Sequence, residues 1–190
     1  MGMTFFRLFV CVLICLTAGL ASAVPLGFNW SDNSVSTDSG GVRLGPGSTL
    51  TVVWDVDLSG LAGWQPCDPV PTGDQVLLDI NNVIMTTTFG SGPGTGRFIG
   101  NWTVDPTDPW AQDGTQLYGL ASVPAAISSS GLDEYGVTSL MTIANWANNS
   151  PVSHDITGGG SIVTAPCIPE PAAIMVLAAG LGAIMFRKRK

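Results

Sequence analysis

Few residues of this chain have the chemistry for catalysis or metal binding, and they are scattered. His154 is the only histidine. His154-Asp155 would need a positioned nucleophile to complete a hydrolytic triad, and no G-x-S-x-G elbow supplies one. In a Ser/Asp-rich loop such a histidine is read as exposed. S-x-x-K chemistry is excluded between the chain ends, where no lysine occurs. Asp55 and Asp57, alternating along a strand, would project from one face about 7 Å apart. That spacing invites comparison with the two carboxyls of a glycosidase, although a solvated strand face accounts for it equally. Oxygen ligands for calcium are available in two loops, one with Asp105, Asp108 and Asp113, the other with Asp32 and Asp38. Neither has the spacing of an EF-hand loop, and the glycine-rich run 90–96 lacks the Asp of a calcium-binding nonapeptide repeat. No ligand set is assigned, no other cofactor is expected, and no catalytic residue is named.

Six tryptophans permit a carbohydrate-binding surface, since exposed indole rings stack on the apolar faces of sugars. Alternation predicts Trp54 and Trp102 to be buried. Trp64 and Trp110, in loops beside Pro66 and Pro109, are the candidates for glycan contacts, against an ordinary role in loop packing.

The elements that must position these residues read as β throughout. From Thr49 to Leu58, Leu50, Val52, Trp54, Val56 and Leu58 alternate with Thr51, Val53, Asp55 and Asp57, the pattern of a strand with one buried face. Val76–Ile80 and Val83–Phe89 flank Asn81-Asn82, a pair suited to a tight hairpin. Arg97–Val104, Gln116–Val123, Gly136–Ala144 and Ser161–Thr164 are further strands, separated by loops rich in Gly and Pro. Short strands in this arrangement predict an all-β fold, an antiparallel β-sandwich of jelly-roll or immunoglobulin-like type, over residues 24–164.

The two ends differ from this body. Arg7, the apolar stretch Leu8–Leu20 and the small residues Ala21-Ser22-Ala23 form a secretory signal over residues 1–23. At the other end, residues 165–171 form a linker closing on Pro169-Glu170-Pro171. The uncharged run Ala172–Phe186 follows, and Arg187-Lys188-Arg189-Lys190 ends the chain. As a helix the run would be roughly 22 Å long, short of the ~30 Å hydrocarbon core. Yet the four terminal cations can snorkel to headgroups and place the tail in the cytoplasm. Pro171 and Glu170 suit a helix N-terminus, and no polar side chain gives the run a wet face. A single transmembrane helix over 172–186, with residues 187–190 as a basic cytoplasmic tail, is expected.

A Pro-Glu-Pro triplet, a short apolar span and a basic terminus in that order resemble the PEP-CTERM sorting signal of exported bacterial proteins. The resemblance covers about the last two dozen residues, with Ile168 where Val is common. It implies recognition of Pro169, Glu170 and Pro171 by an exosortase, a membrane-embedded cysteine-dependent transpeptidase, in hosts that make exopolysaccharide and biofilm. It implies passage through the inner membrane after signal peptidase cleavage, transient anchoring, and delivery to the cell surface or extracellular matrix. About the activity of residues 24–168 it implies nothing. The expected function is therefore that of a non-enzymatic surface or matrix protein. The alternatives are a carbohydrate-binding or adhesive module, with exopolysaccharide as partner, and a secreted hydrolase.

Between Val24 and Pro171, Arg43 and Arg97 stand against all 14 acidic residues, a formal charge of −12. Such a field opposes nucleic acid and anionic membrane surfaces and favours solubility outside the cell. Signal cleavage would remove Cys11 and Cys15, leaving Cys67 and Cys167. In an oxidising envelope these two most simply pair, closing a loop of about 100 residues worth up to ~4.7 kcal/mol on the chain-entropy model. The other reading places Cys167 in a stalk, free or paired between molecules. A single histidine and no C-x-x-C leave no zinc site.

Overall fold

The chain is all-β because apolar side chains recur at every second residue and Gly/Pro turns interrupt each run before a helix can close. The computed structural model describes residues 24–66, 70–146 and 153–168. Among them the helical positions are 3-10, at Gly92–Gly94 and at Trp146, and no helix is long and apolar enough to cross a membrane. The signal (1–23), the Pro-Glu-Pro triplet and the expected transmembrane helix (172–186) lie outside the described residues, as does Cys67.

Two sheets carry the fold. The smaller holds β1 (Leu26–Asp32) between β5 (Phe98–Val104) and β9 (Ser153–Thr157). The larger runs β10 (Ala165–Pro166), β7 (Glu134–Val137), β6 (Gln116–Val123), β2 (Thr49–Trp54), β3 (Gln75–Val76). Also in the larger sheet, β4 (Thr86–Thr88) pairs with β2, and β8 (Met141–Thr142) with β6. The strand pairs are antiparallel except β1 with β9, which is parallel, Phe28 lying opposite His154. The wholly antiparallel arrangement expected from the sequence is corrected at that edge.

Alternation in β1 buries Leu26, Phe28, Trp30 and Asp32 and leaves the intervening residues half-buried. Phe28 and Trp30 join Leu50 and Val52 of β2, Leu117, Ala121 and Val123 of β6, and Phe98 and Val104 of β5 in a single buried cluster. Burial of such side chains is worth roughly 1.5–3 kcal/mol each and dominates the stability of the body. Gly100 on β5 lets the Trp102 indole lie flat against the strand: a Cβ there would stand 1.9 Å from the ring.

A second apolar cluster lies on the other side of β2 and β6. Val53, Tyr118 and Leu120 are buried there, with Leu61, Trp64, Val70 and Val76 packed on them. Leu61 and Trp64 after β2 and Val70 before β3 cover this patch, which explains why Val53, expected on the wet face, is buried.

Strand pairing continues past the expected edge of the body at Thr164. Ala165 and Pro166 lie opposite Tyr135 and Glu134, and the Cys167 amide donates to the Asp133 carbonyl at 2.7 Å. Cys167 is disulfide-bonded.

Candidate functional site

The register of β2 with β3 determines which acidic residues meet. Val53 lies opposite Val76 and Trp54 opposite Gln75, so the next residues outward, Asp55 and Asp74, face each other where the 55–74 segment leaves the sheet. The chain bends over residues 56–58, where Asp57 comes close to the other two, and turns on through Leu58 at φ 56° and Gly60 at φ 65°. One carboxylate oxygen from each of Asp55, Asp57 and Asp74 lies within 4.8 Å of the others. Gly73 makes room for this approach. It has φ +100°, and a Cβ there would stand 2.5 Å from Asp57 Oδ2.

Each carboxylate is held by a donor from the protein. Gly60 N donates to Asp55 Oδ2 at 3.1 Å, and Ser59 N donates to Asp57 Oδ1 at 2.9 Å. The Tyr118 hydroxyl donates to Asp74 Oδ2 at 2.6 Å. Asp55 is 0% exposed. Asp55 Oδ1 and Asp74 Oδ1 are buried with no hydrogen-bond partner. Burial, then the charges of Asp55 and Asp57, raise the pKa of Asp74 against the lowering effect of the Tyr118 bond. The Ser59 hydrogen bonds lower that of Asp57. Burial and Asp74 raise that of Tyr118, which therefore stays a donor.

Asp55 and Asp57 therefore do not form the solvated same-face pair expected from strand alternation. The strand stops at Trp54, and a fully buried Asp55 offers no surface to a sugar. Asp74 was missed. No local pattern points to Asp74, which only the β2–β3 register brings in. What was legible for the other two is the segment Asp55-Val56-Asp57-Leu58-Ser59-Gly60, which follows the opening D-x-[DN]-x-[DN]-G of a calcium loop with Ser at the fifth place.

The loops expected to supply calcium ligands are not gathered; Asp55, Asp57 and Asp74 are the one acidic trio close enough to share an ion among the described residues. The other carboxylates serve the backbone. Asp32 accepts from Ser34 N and Gly160 N, and Asp38 from Gly40, Val42 and Ser129 amides. Asp105 accepts from both Thr107 N and its hydroxyl, and Asp113 from Trp146 N.

Three further expectations are corrected. His154 lies in β9 rather than an exposed loop. It is 2% exposed, stacked on Phe28 at 6.2 Å and beside Trp146 at 4.5 Å, and burial lowers its pKa against Asp155 and Asp113. Trp110 is 4% exposed, edge-on to Phe28 and Trp146. Trp64 is half-buried on the Val53–Tyr118–Leu120 cluster. Both loops fold back over the sheets and carry their indoles inward. A cavity of about 310 Å³ does open beside Trp54 and Trp110, edged by Asp79, Asn82, Asp105 and Asp108.

No family model matches the chain, and no curated protein or solved structure is found to be similar to it.

Proposed function

We propose that this is an exported, non-enzymatic protein of the cell surface or extracellular matrix. Residues 1–23 send it through the inner membrane, residues 172–186 hold it there transiently, and an exosortase reads Pro169, Glu170 and Pro171. The body is a β-sandwich in this reading, the β5-β1-β9 sheet lying over the β2–β6 face through the cluster of Phe28, Trp30, Leu50 and Leu117. The observation that carries the proposal is where the body's strands begin and end. β1 starts at Leu26, just beyond the expected cleavage after Ala23, and β10 ends at Pro166, just before the triplet. Both address segments thus flank a body whose first and last strands are already paired. The disulfide at Cys167 suits an oxidising compartment, and its partner in this reading is Cys67.

The test is replacement of Pro169, Glu170 and Pro171 by Ala in the native host. The unaltered protein is expected to lose its basic tail and reach the surface fraction, while the variant keeps the tail and stays with the membrane. Equal mass and equal location for both would contradict the proposal.

A second reading, a glycan-binding module, is favoured by the cavity beside Trp54. A half-buried indole and five polar residues, Gln75, Asp79, Asn82, Asp105 and Asp108, line it, the mix by which sugars are held. In this reading Trp54→Ala abolishes glycan-array binding and Trp64→Ala leaves it intact; binding unaffected by Trp54→Ala would count against the reading.

A further inference from the structure

We infer that Asp55, Asp57 and Asp74 form a calcium site that pins residues 55–66 and 70–74 to the sheet. Three carboxylates converge, one of them fully buried, and the charges of Asp55 and Asp57 both act on Asp74. Asp55 Oδ1 and Asp74 Oδ1 have been taken out of water with no donor in its place. An oxygen in that position is costly unless a proton or a cation compensates it.

The geometry favours a cation. On Asp55, fully buried, one oxygen is fixed by Gly60 N and the other is left without a donor, as expected of a carboxylate oriented to ligate. The Asp74 carboxylate is held by the Tyr118 hydroxyl and the Val56 amide, with Oδ1 left open. The 4.8 Å span of the three oxygens is one that a single ion with bonds of about 2.3–2.6 Å bridges. All the donors are hard oxygens, with no imidazole or thiolate in the cluster, so zinc and copper are disfavoured. The opening D-x-D-x-S-G segment has its first and third residues in the cluster and its sixth, Gly60, in the left-handed turn such loops require. Among hard cations, calcium accepts the irregular coordination that two strand ends and a reversing loop provide, whereas magnesium demands a near-ideal octahedron.

Tyr118 acts here as a positioning residue. Its hydroxyl holds Asp74 Oδ2 and leaves Oδ1 open. The ring itself is part of the cluster that residues 55–66 and 70–74 cover, so the ion, Tyr118 and the covering segment form one unit. Occupancy would lock the segment onto Val53, Tyr118 and Leu120 and neutralise most of the repulsion at its neck. None of this depends on the sorting tail, and its test is separate from the test of export.

The experiment is calorimetric titration of the chelator-treated full-length chain with calcium chloride, with thermal unfolding recorded in parallel. One calcium per chain is expected, with Kd about 10⁻⁵–10⁻³ M, the range of sensor to extracellular sites. At a hundredfold excess over Kd the unfolding midpoint should rise by roughly 5–10 °C. Asp57 is exposed, so Asp57→Asn should keep the fold while weakening binding at least tenfold. Tyr118→Phe should weaken it about tenfold, the size of effect that supports around a metal have. Without calcium, Asp55→Asn should melt no lower than the unaltered chain, since it relieves repulsion; a purely structural Asp55 would make it melt lower. A folded chain giving neither heat nor a shift of midpoint up to 10-millimolar calcium would overturn the assignment. So would undiminished binding by Asp57→Asn, or magnesium bound as tightly as calcium.

Discussion

Replacing Trp30 by Ala is expected to cost about 4 kcal/mol, the middle of the range for removing a fully buried aromatic side chain. Trp30 is 0% exposed and stands on the central strand of the smaller sheet, with Gly100 of β5 on one side and Ile156 of β9 on the other. Its ring meets Phe98 edge-on at 5.8 Å. Its Nε1–H donates to the Gly158 carbonyl at 2.9 Å, which ties the chain leaving β9 to the core. Truncation therefore opens a cavity and orphans a carbonyl at once. Trp30→Phe fills most of the space but cannot donate, and should cost about 1–2 kcal/mol for the lost bond and the residual void. Urea unfolding of the two variants checks this: Trp30→Ala within 1 kcal/mol of the unaltered chain would mean that β1 is not central to the core.

The second large effect concerns Glu134, buried at the start of β7 with 0% exposure. Ser39 N and Thr164 Oγ1 donate to Oε2 at 2.8 and 2.7 Å, and Ser39 Oγ and Ser128 Oγ to Oε1 at 2.7 and 2.6 Å. One carboxylate thus joins three segments distant in sequence. Burial alone would raise its pKa, but the hydrogen bonds from Ser128, Ser130, Thr164 and Ser39 outweigh it and hold the group at about 2, against an ordinary 4.5. Because the folded-state value is the lower one, this stabilisation is complete above about pH 4.5 and is lost as pH falls toward 2. It amounts to on the order of 2 kcal/mol after allowance for solvent screening. Glu134→Gln should be weaker than the unaltered chain by about that amount at pH 7, and the gap should narrow on acidification. Asp38, lowered by its Ser129, Val42 and Gly40 bonds against burial, adds acid sensitivity in the same sense and is common to both proteins. The gap in urea midpoint at pH 7 and at pH 2.5 decides the matter. An unchanged gap would remove the carboxylate charge from the account.

Much of the fold was legible because its strands alternate cleanly. Gln116–Val123 is β6 to the residue, and Arg97–Val104 is β5 less its first position. The hairpin at Asn81-Asn82 is present, Asn82 at φ 61° and Leu78 paired with Ile84, yet its arms bridge only briefly because β4 pairs with β2. Gly136–Ala144 is split into β7 and β8, since the Thr138 hydroxyl accepts from Gly119 N and interrupts the ladder. β1 went unseen even though Leu26, Phe28 and Trp30 alternate. It lies against the end of the signal, and Gly27 and Asn29 between its apolar residues are weak strand formers. The candidate site was half legible. Asp55 and Asp57 stood out as a pair, but alternation extended to Leu58 misplaced them on a strand, and only the β2–β3 register brings in Asp74. Of the two readings left open for the loop tryptophans, packing holds and exposure for glycan contact does not, since Pro beside an indole marks a loop but not which way the loop folds.

The central claim, that a self-contained β body travels between two disposable address segments, is tested most directly by mapping both termini of the protein recovered from the surface or extracellular fraction of its native host. The account predicts a chain that begins at Val24, keeps Cys167 in a disulfide with Cys67, and ends before the basic residues Arg187–Lys190. A surface-recovered chain that still carries Met1–Ala23 or the intact basic terminus would contradict it.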